Sequence, residues 1–443
     1  MWHLKQPCYT LAPKKIRIIW ETAGLCNRMK STIIFLCGIL AMAASEPCDL
    51  LHLNDDQLIL SLNKKLLLSL EDRSQLPNPS IYIALRLSDF HNQTMENAYL
   101  VWLKTELHKN LESSLKMGKP VTGLLALYIL ALWGSCQDLN NITLNQKNII
   151  QELEEQVTQE EKNIKEKEVP LTNYYQYSLG VLAQCVCGVH VRKELVDAME
   201  PEDMKHGQNE SVDTLAMAGM ALQCVKESCG GQDDDHLQQI LNTIKDKLLA
   251  SQRPDGHMGN EFSTGLAVQA LLAMHILNYS EPMEALKRSA RNCVYHNPMA
   301  ISQVLPALQH KSYLQLRVQQ CTNEDNSLNV MPQPTTTEVL PVTVSLEVLV
   351  VIKENKTKYT VIIPKLSSLL NALTLLQEQE AGFTFETEPT LWGPFLTVVN
   401  GVQAQQSNRT YWNLSSDGSP LSEGIRDYKI QRPQKITIRL STY

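Results

Sequence analysis

The chain has 443 residues, 43% of them hydrophobic, which is enough for two or three domains with cores of their own. Its formal charge of -7 is spread along the sequence and argues against a nucleic-acid partner, and no apolar run is long enough to span a bilayer. A soluble protein without membrane insertion is expected.

Residues 1–28 carry Lys5, Lys14, Lys15, Arg17 and Arg28 against one acid, Glu21. The longest uncharged stretch, Ser31 to Ser45, follows Met29-Lys30 and ends in Ala41-Met-Ala43-Ala44-Ser45. A basic start, a short apolar centre and small closing residues read as a secretory signal over 29–45, cleaved near Ser45. The basic stretch before it is too long for the leading region of a signal, so synthesis is expected to begin at Met29, with 1–28 as an upstream extension. The mature protein is then secreted and extracellular, and starts near Glu46.

A helical domain is expected over 46–321. Three segments open on a polar residue and continue in small and aliphatic side chains: Thr172 before Ser178-Leu-Gly-Val-Leu-Ala-Gln-Cys185, Asp213 before Leu215 to Cys224, and Thr264 before Gly265 to Leu272. Weaker copies enter at Gly123 before Leu124 to Trp133 and at Ser302-Gln303 before Val304 to Leu308; from Gly123 to Gln303 the steps are 49, 41, 51 and 39 residues. Repeats of that length indicate stacked helix pairs. Helices apolar all round are buried ones, so these five form an inner layer with amphipathic helices outside, and the polar starts surround one mouth. Such a mouth suits a large, neutral, hydrogen-bonding ligand better than a chemical step. Thr172, Asp213 and Thr264 also stand where helix N-caps belong. Asn145 to Glu168, dense in Glu and Lys with Ile149, Ile150, Leu153 and Val157 at helical spacing, reads as an outer helix running into a solvated charged stretch. His206 and His257 are placed in loops or on the surface, without a role.

Cleavage near Ser45 leaves eight cysteines, an even number that in a secreted chain implies up to four disulfides. Cys185 and Cys224 close matching helices of successive repeats and are expected to pair. Cys185-Val-Cys187 with His190 lacks the second ligand cluster of a zinc site. Seven sequons, at Asn92, Asn141, Asn209, Asn278, Asn355, Asn408 and Asn413, fit a secreted glycoprotein.

Residues 322–341 contain Pro332, Pro334, Pro341 and Thr335-Thr-Thr337 and read as an exposed linker. Beyond it a small α+β domain is expected over 342–443. Val342, Val344, Leu346, Val348 and Val350 alternate as in a strand, Tyr359 to Ile363 and Lys435 to Leu440 look similar, and Leu366, Leu369, Leu370, Leu373 and Leu376 repeat at helical spacing. Its loops hold aromatic residues, Leu391-Trp392-Gly393-Pro394-Phe395 and Tyr411-Trp412-Asn413-Leu414, which are either core or an apolar lid over the helical mouth.

Pro170-Leu-Thr172-Asn-Tyr-Tyr175-Gln176, Ser211-Val-Asp213-Thr214, Gly259-Asn260 followed by Phe262-Ser263-Thr264-Gly265, Gln303 to Leu308, Trp392-Gly-Pro394 and Thr410-Tyr-Trp412 together resemble the transcobalamin family of secreted cobalamin carriers. The resemblance runs from Cys48 to Tyr443 in the family's order and spacing. It implies a mostly α fold, an N-terminal α/α barrel joined to a smaller C-terminal α+β domain, with one cobalamin between them and no catalysis. Carried over by motif, Thr172, Tyr175, Gln176, Asp213, Asn260, Ser263 and Gln303 are the contacts from the barrel. Thr390, Leu391, Trp392, Gly393, Pro394, Trp412, Asn413, Leu414 and Leu421 are those from the small domain. A monomer taken up through a cell-surface receptor is the implied working state.

Three departures qualify the carry-over. Glu210 stands where some members have a histidine that replaces the upper ligand of cobalt, so no protein ligand to the metal is expected. Leu124 occupies a position at which the family often has Gln. The cysteine paired with the first one is displaced, which leaves Cys48–Cys293 and Cys136–Cys321 as the expected bridges and Cys187–Cys229 as an additional pair. The sequons, Trp392 and Arg409-Thr-Tyr-Trp412 look like the haptocorrin branch, whereas Val189-His190-Val-Arg192 and Gly424 to Tyr428 look like transcobalamin. Two rival classes are a glycoside-active α/α-barrel enzyme and a non-catalytic interaction module. The enzyme's obvious carboxylate pair, Glu210 and Asp213, lies on one short segment and cannot easily flank a glycosidic bond.

Overall fold

The computed structural model describes residues 50–443 apart from 74–75, 117, 119, 145, 201–210, 229–234, 319–320, 323, 325, 331–341, 391–392, 405–409, 422 and 443. The expected signal segment, Cys48, Glu210, His206 and Cys229 lie outside the described residues.

Helices occupy the chain in strict alternation: α1 (Asp55–Leu68), α2 (Pro79–Arg86), α3 (Gln93–Lys116), α4 (Thr122–Trp133), α5 (Ile149–Lys167), α6 (Tyr174–Val186), α7 (Lys193–Asp197), α8 (Val212–Ser228), α9 (Asp235–Ala250), α10 (Ser263–Ala273), α11 (Ser280–Arg291) and α12 (Pro298–Leu308). The even-numbered helices are buried on nearly every side. Each packs on the next, and α12 packs back on α2, so the inner layer is a closed ring. Outer helices return the chain between inner ones, so the inner helices run in one direction and their starts share one mouth. At the other end the turn Tyr313–Val318 crosses the ring with Tyr313 and Leu316 buried. A Cβ on Gly134, just past α4, would come within 2.8 Å of Leu316, which is how closely that end is closed.

The ring has one inner helix more than the repeats indicate. The extra member, α2, has only eight residues and no long aliphatic run, yet all of them are buried. Capping falls one to four residues from where the polar starts put it. Asn173, not Thr172, accepts the Gln176 N–H at α6. Ser211, not Asp213, accepts the Thr214 N–H at α8. Asn260 Oδ1 accepts the N–H groups of Phe262 and Ser263 at α10. Asn78 and Asn297, each followed by Pro at the first helical position, start α2 and α12. Asn and Ser reach the second or third N–H most readily from the cap position itself, which frees Asp213 for other partners.

Three further readings are corrected. Helix α5 is an outer helix that ends in the exposed Lys165 to Glu168, as expected, but its inward face buries Glu152, Gln156, Glu160, Glu161 and Asn163. His257 lies in a loop, as one expectation had it, but is buried there, with Nε2 at 2.9 Å from Ser289 Oγ. The first residues after Cys321 are strapped to the helical part: Arg86 pairs with Glu324, the Leu328 N–H donates to His91 O at 3.1 Å, and Leu328 is buried.

Disulfides Cys136–Cys321 and Cys185–Cys224 form as expected. Cys293 is disulfide-bonded, and its expected partner Cys48 lies outside the described residues. Cys187 carries a free thiol, so its expected bridge to Cys229 is absent; burial pushes the thiol up to about 12, which makes it a poor nucleophile.

The strand-containing part has a five-stranded sheet of β3 (Thr343–Ile352), β4 (Asn355–Pro364), β8 (Thr410–Ser416), β9 (Ser419–Pro420) and β10 (Gln434–Thr442) in the order β4-β3-β10-β8-β9. It also has a three-stranded one of β5 (Phe385–Thr390), β6 (Gly393–Val399) and β7 (Val402–Gln403). A minor hairpin, β1 (Thr143–Leu144) with β2 (Lys147–Asn148), precedes α5. Strands β3 and β10 are parallel and the other pairs antiparallel. Val344, Leu346, Val348 and Val350 line the buried face of β3, under Leu369, Leu373 and Leu376 of α13 (Leu369–Gln379). Leu366, which shares their spacing, lies before the helix, exposed and at φ +71°.

Candidate functional site

Polar side chains collect at the starts of the inner helices. Between α4 and α6 they converge on Glu160, a fully buried residue of α5. The Thr122 and Thr172 hydroxyls donate to its Oε1 at 2.8 and 2.6 Å, and the Thr172 N–H donates to Oε2 at 3.0 Å. One turn earlier Gln156 Oε1 accepts the Val121 N–H at 3.4 Å, while its Nε2 donates to Glu152 Oε1 at 3.1 Å. The outer helix therefore satisfies backbone groups that the start of α4 leaves open.

Between α8 and α10 the centre is Asp213. The Ser263 hydroxyl donates to its Oδ2 at 3.3 Å, whereas Oδ1 is buried and has no hydrogen-bond partner among the described residues. Burial raises this carboxyl above its ordinary 3.8, against the Ser263 hydrogen bond. The loop before α10 reaches it because Gly259, at φ +70°, has no Cβ; one would lie 2.8 Å from Val212. Burial likewise raises the Tyr175 phenol well above its ordinary value, with Tyr313 and Asp213 adding to the effect.

Gln303 lies on α12, where its carbonyl accepts from Gln269 Nε2 at 2.9 Å. A Cβ on Gly265 would fall 2.8 Å from that carbonyl and 2.9 Å from Val304. Helices α10 and α12 thus touch at backbone distance. Gly265→Ala is expected to cost about 1–3 kcal/mol of stability by forcing them apart. Thermal unfolding measures that cost, and a ligand titration of the same variant reads the displacement of Gln303.

In the strand-containing part Thr390 pairs with Gly393 and Pro389 with Pro394, while Leu391 and Trp392 lie outside the described residues. Gly393, at φ +99°, lies beside the Arg426 guanidinium, 3.3 Å from where a Cβ would stand. Trp412 is a core residue, 4% exposed, with Nε1 donating to Thr397 O at 3.1 Å. Leu414 shares its face of β8 and packs on that core, and Asn413 points the other way, donating from Nδ2 to Tyr411 Oη at 3.0 Å. The partly buried Leu421 donates its N–H to Leu414 O at 3.0 Å.

The two parts meet at the mouth. Glu423 pairs with His296, just before α12, and this hydrogen bond raises the imidazole above its ordinary 6.5. A cavity of about 210 Å³ beside it is lined by Asp72, Asn78, Tyr99 and Trp102 from the helical side and by Arg426, Asp427 and Lys429 from the strand side. Among the described residues these joining contacts run through 423–429, next in sequence to Leu421 and next in space to Gly393.

A model of the eukaryotic cobalamin-binding proteins matches residues 30–341. The chain belongs to this family. Within it, human transcobalamin-2 is 33% identical over 94% of this chain and 100% of its own length. Human transcobalamin-1 is 31% identical over 82% and 87%, and human cobalamin binding intrinsic factor 26% identical over 97% and 98%. A solved haptocorrin in complex with Cbi aligns with a TM-score of 0.63 at 28% identity, covering 88% of this chain and 98% of the haptocorrin chain. A domain of unknown function, DUF4430, matches residues 367–442. The identities to the two transcobalamins are too alike to set a branch. The expected architecture holds: a helical α/α barrel with a smaller strand-containing part.

Among the residues carried over by motif, the fold brings Thr172, Tyr175, Asp213, Ser263 and Asn260 to one mouth. Sequence reading missed Glu160 behind Thr172 and Gln156 behind Val121. The spacing Glu152-Gln156-Glu160, one polar residue per helical turn in register with Leu153 and Val157, was the available signal.

Proposed function

We propose that the protein is a secreted carrier that binds one cobalamin at the mouth of the helical ring, under the strand-containing part, and performs no chemistry on it. Two domains, 46–321 and 342–443, divided by 322–341, close on the ligand from opposite sides. The observation that carries this reading is Asp213 Oδ1, buried and without a hydrogen-bond partner among the described residues. A buried acceptor without a donor costs free energy unless a ligand supplies one, and cobalamin offers a rigid macrocycle ringed by carboxamide N–H groups. Thr172, Tyr175, Gln176, Asn260, Ser263 and Gln303 complete the polar rim, and neutral groups of this kind bind amides without the desolvation cost of further buried charge. Thr390 to Pro394, Asn413, Leu414 and Leu421 cover the other face, with Trp412 supporting the strand from within its core. Glu210 in place of a histidine leaves cobalt without a ligand from the protein. The loaded monomer is handed to a cell-surface uptake receptor.

Size-exclusion chromatography of secreted protein mixed with excess aquocobalamin tests the reading. A stoichiometric red protein peak whose spectrum keeps the cobalt-bound water is expected. A colourless peak from folded protein overturns the carrier role, and an imidazole-type spectrum overturns the absence of a protein ligand.

Secretion through a glycosylating pathway carries its own expectation. Asn278 and Asn355 are exposed, as is Asn141, whose Nδ2 donates locally to Asp138 Oδ2 at 2.6 Å, whereas the half-buried Asn92 donates from Nδ2 to Leu328 O at 3.0 Å and holds the strap after Cys321 in place. Peptide mapping of the secreted protein is expected to find glycans at the exposed three and an unmodified Asn92.

A further inference from the structure

We infer that Glu160, a residue of the outer layer that need not touch the ligand, sets the amide specificity of the mouth by fixing the hydrogen-bond polarity of Thr172. The inference rests on the carrier reading above. A hydroxyl has one proton to donate and lone pairs with which to accept. Thr172 directs its proton to Glu160 Oε1 at 2.6 Å and its backbone N–H to Oε2 at 3.0 Å, and Thr122 directs its proton to the same Oε1 at 2.8 Å. Glu160 itself is fully buried, so these donors compensate its carboxylate.

Toward the mouth, the partly exposed Thr172 therefore offers lone pairs alone. Asp213, whose Oδ1 has no partner among the described residues, is also an acceptor. The starts of α6 and α8 thus carry two acceptors of different chemistry, one intrinsic and one set by a positioning residue behind it. A ligand side chain that reaches Thr172 and ends in a carboxamide can donate to it. The same side chain ending in a carboxylate meets lone pairs with lone pairs, and its charge has no donor to receive it.

Competition between cyanocobalamin and its monocarboxylic acid derivatives, each with one corrin carboxamide hydrolysed, reads this polarity. The wild-type protein is expected to prefer the amide by about tenfold or more at the side chain that reaches Thr172, equivalent to about 1.4 kcal/mol. In Glu160→Gln the side-chain amide donates to the Thr172 oxygen, the threonine proton turns outward, and the preference at that one derivative falls toward unity while the others keep theirs. Thr172→Val, which retains the backbone N–H to Glu160, is expected to lose the same preference and to make it insensitive to residue 160 in the double variant.

Uniform weakening of all ligands in Glu160→Gln, with every preference unchanged, would show a merely structural glutamate and overturn the inference. Should Glu160→Gln not fold, an unaltered preference in Thr172→Val overturns it equally. Failure of the wild-type protein to bind cyanocobalamin at all sinks the carrier reading, and this inference with it, and is distinguishable because it needs no variant.

Discussion

Asp213→Ala is expected to weaken cobalamin binding by about 10- to 100-fold for each hydrogen bond lost, since bonds to a charged group contribute roughly 1.5–3 kcal/mol. Competition against the wild-type protein measures it, and equal affinities would remove Asp213 from the site. The ligand-free protein should respond in the opposite sense. Burial holds the folded carboxyl above its ordinary 3.8, so the folded state takes up a proton more readily than the unfolded one. Stability therefore falls as pH rises through that window, and Asp213→Asn relieves the cost at neutral pH. Its melting temperature should exceed that of the wild type at pH 7, with the gap closing in acid. Cobalamin affinity follows the reverse course, because protonation removes the charge that strengthens these hydrogen bonds; it should decline as pH falls through the raised folded value. A pH-independent gap in melting temperature would contradict the assignment.

Arg86→Met is expected to destabilise the helical part by about 3–5 kcal/mol, the usual cost of stranding buried charges. Arg86 Nη1 lies 3.0 Å from Glu96 Oε2, its other terminal nitrogen pairs with Glu324, and Nε donates to Gly134 O at 3.1 Å. The carboxylates left behind are 1% and 9% exposed. Burial alone would raise the Glu96 carboxyl, yet His91 and Arg86 hold it below its ordinary 4.5. Its stabilisation is thus present above that value and is lost as pH falls through the lower folded one. In the variant this acid limb should move to higher pH. Chemical denaturation over a pH series reads both effects, and the triple variant with Glu96→Gln and Glu324→Gln should recover much of the loss. A cost under about 1 kcal/mol would mean that the network is dispensable.

The inner ring was legible where its helices are long and uniformly aliphatic, as in α4, α8 and α10, because burial on every side leaves a simple composition. Helix α2 was not, since its eight residues include Ser80, Tyr82 and Arg86, whose polar atoms are satisfied only by the fold. The same holds for α5. Glutamates in a row read as a solvated face until Thr122 and Thr172 arrive from two other helices to meet one of them. The site's neutral residues were readable through their motifs. Their division of labour was not: whether Asp213 caps its helix or faces the mouth depends on Ser211, two residues away, taking the cap. Trp412 shows the converse, an aromatic residue in a loop-like context whose strand turns it into a core.

Closure of the ring also orders its assembly in time. Asn78 Nδ2, at the start of α2, donates to Met299 Sδ at 3.5 Å, and the two residues are separated by 221 positions. Lys287 and Arg291 of α11 reach back to Asp55 of α1 across a similar span. A chain emerging from its amino end therefore makes α2 early and gives it its second neighbour only after α12 has appeared. Until then an apolar flank of α2 has no native cover. The seam between the first and last inner helices is the last part of the barrel to become native, and the one whose delay leaves the growing chain most open to aggregation.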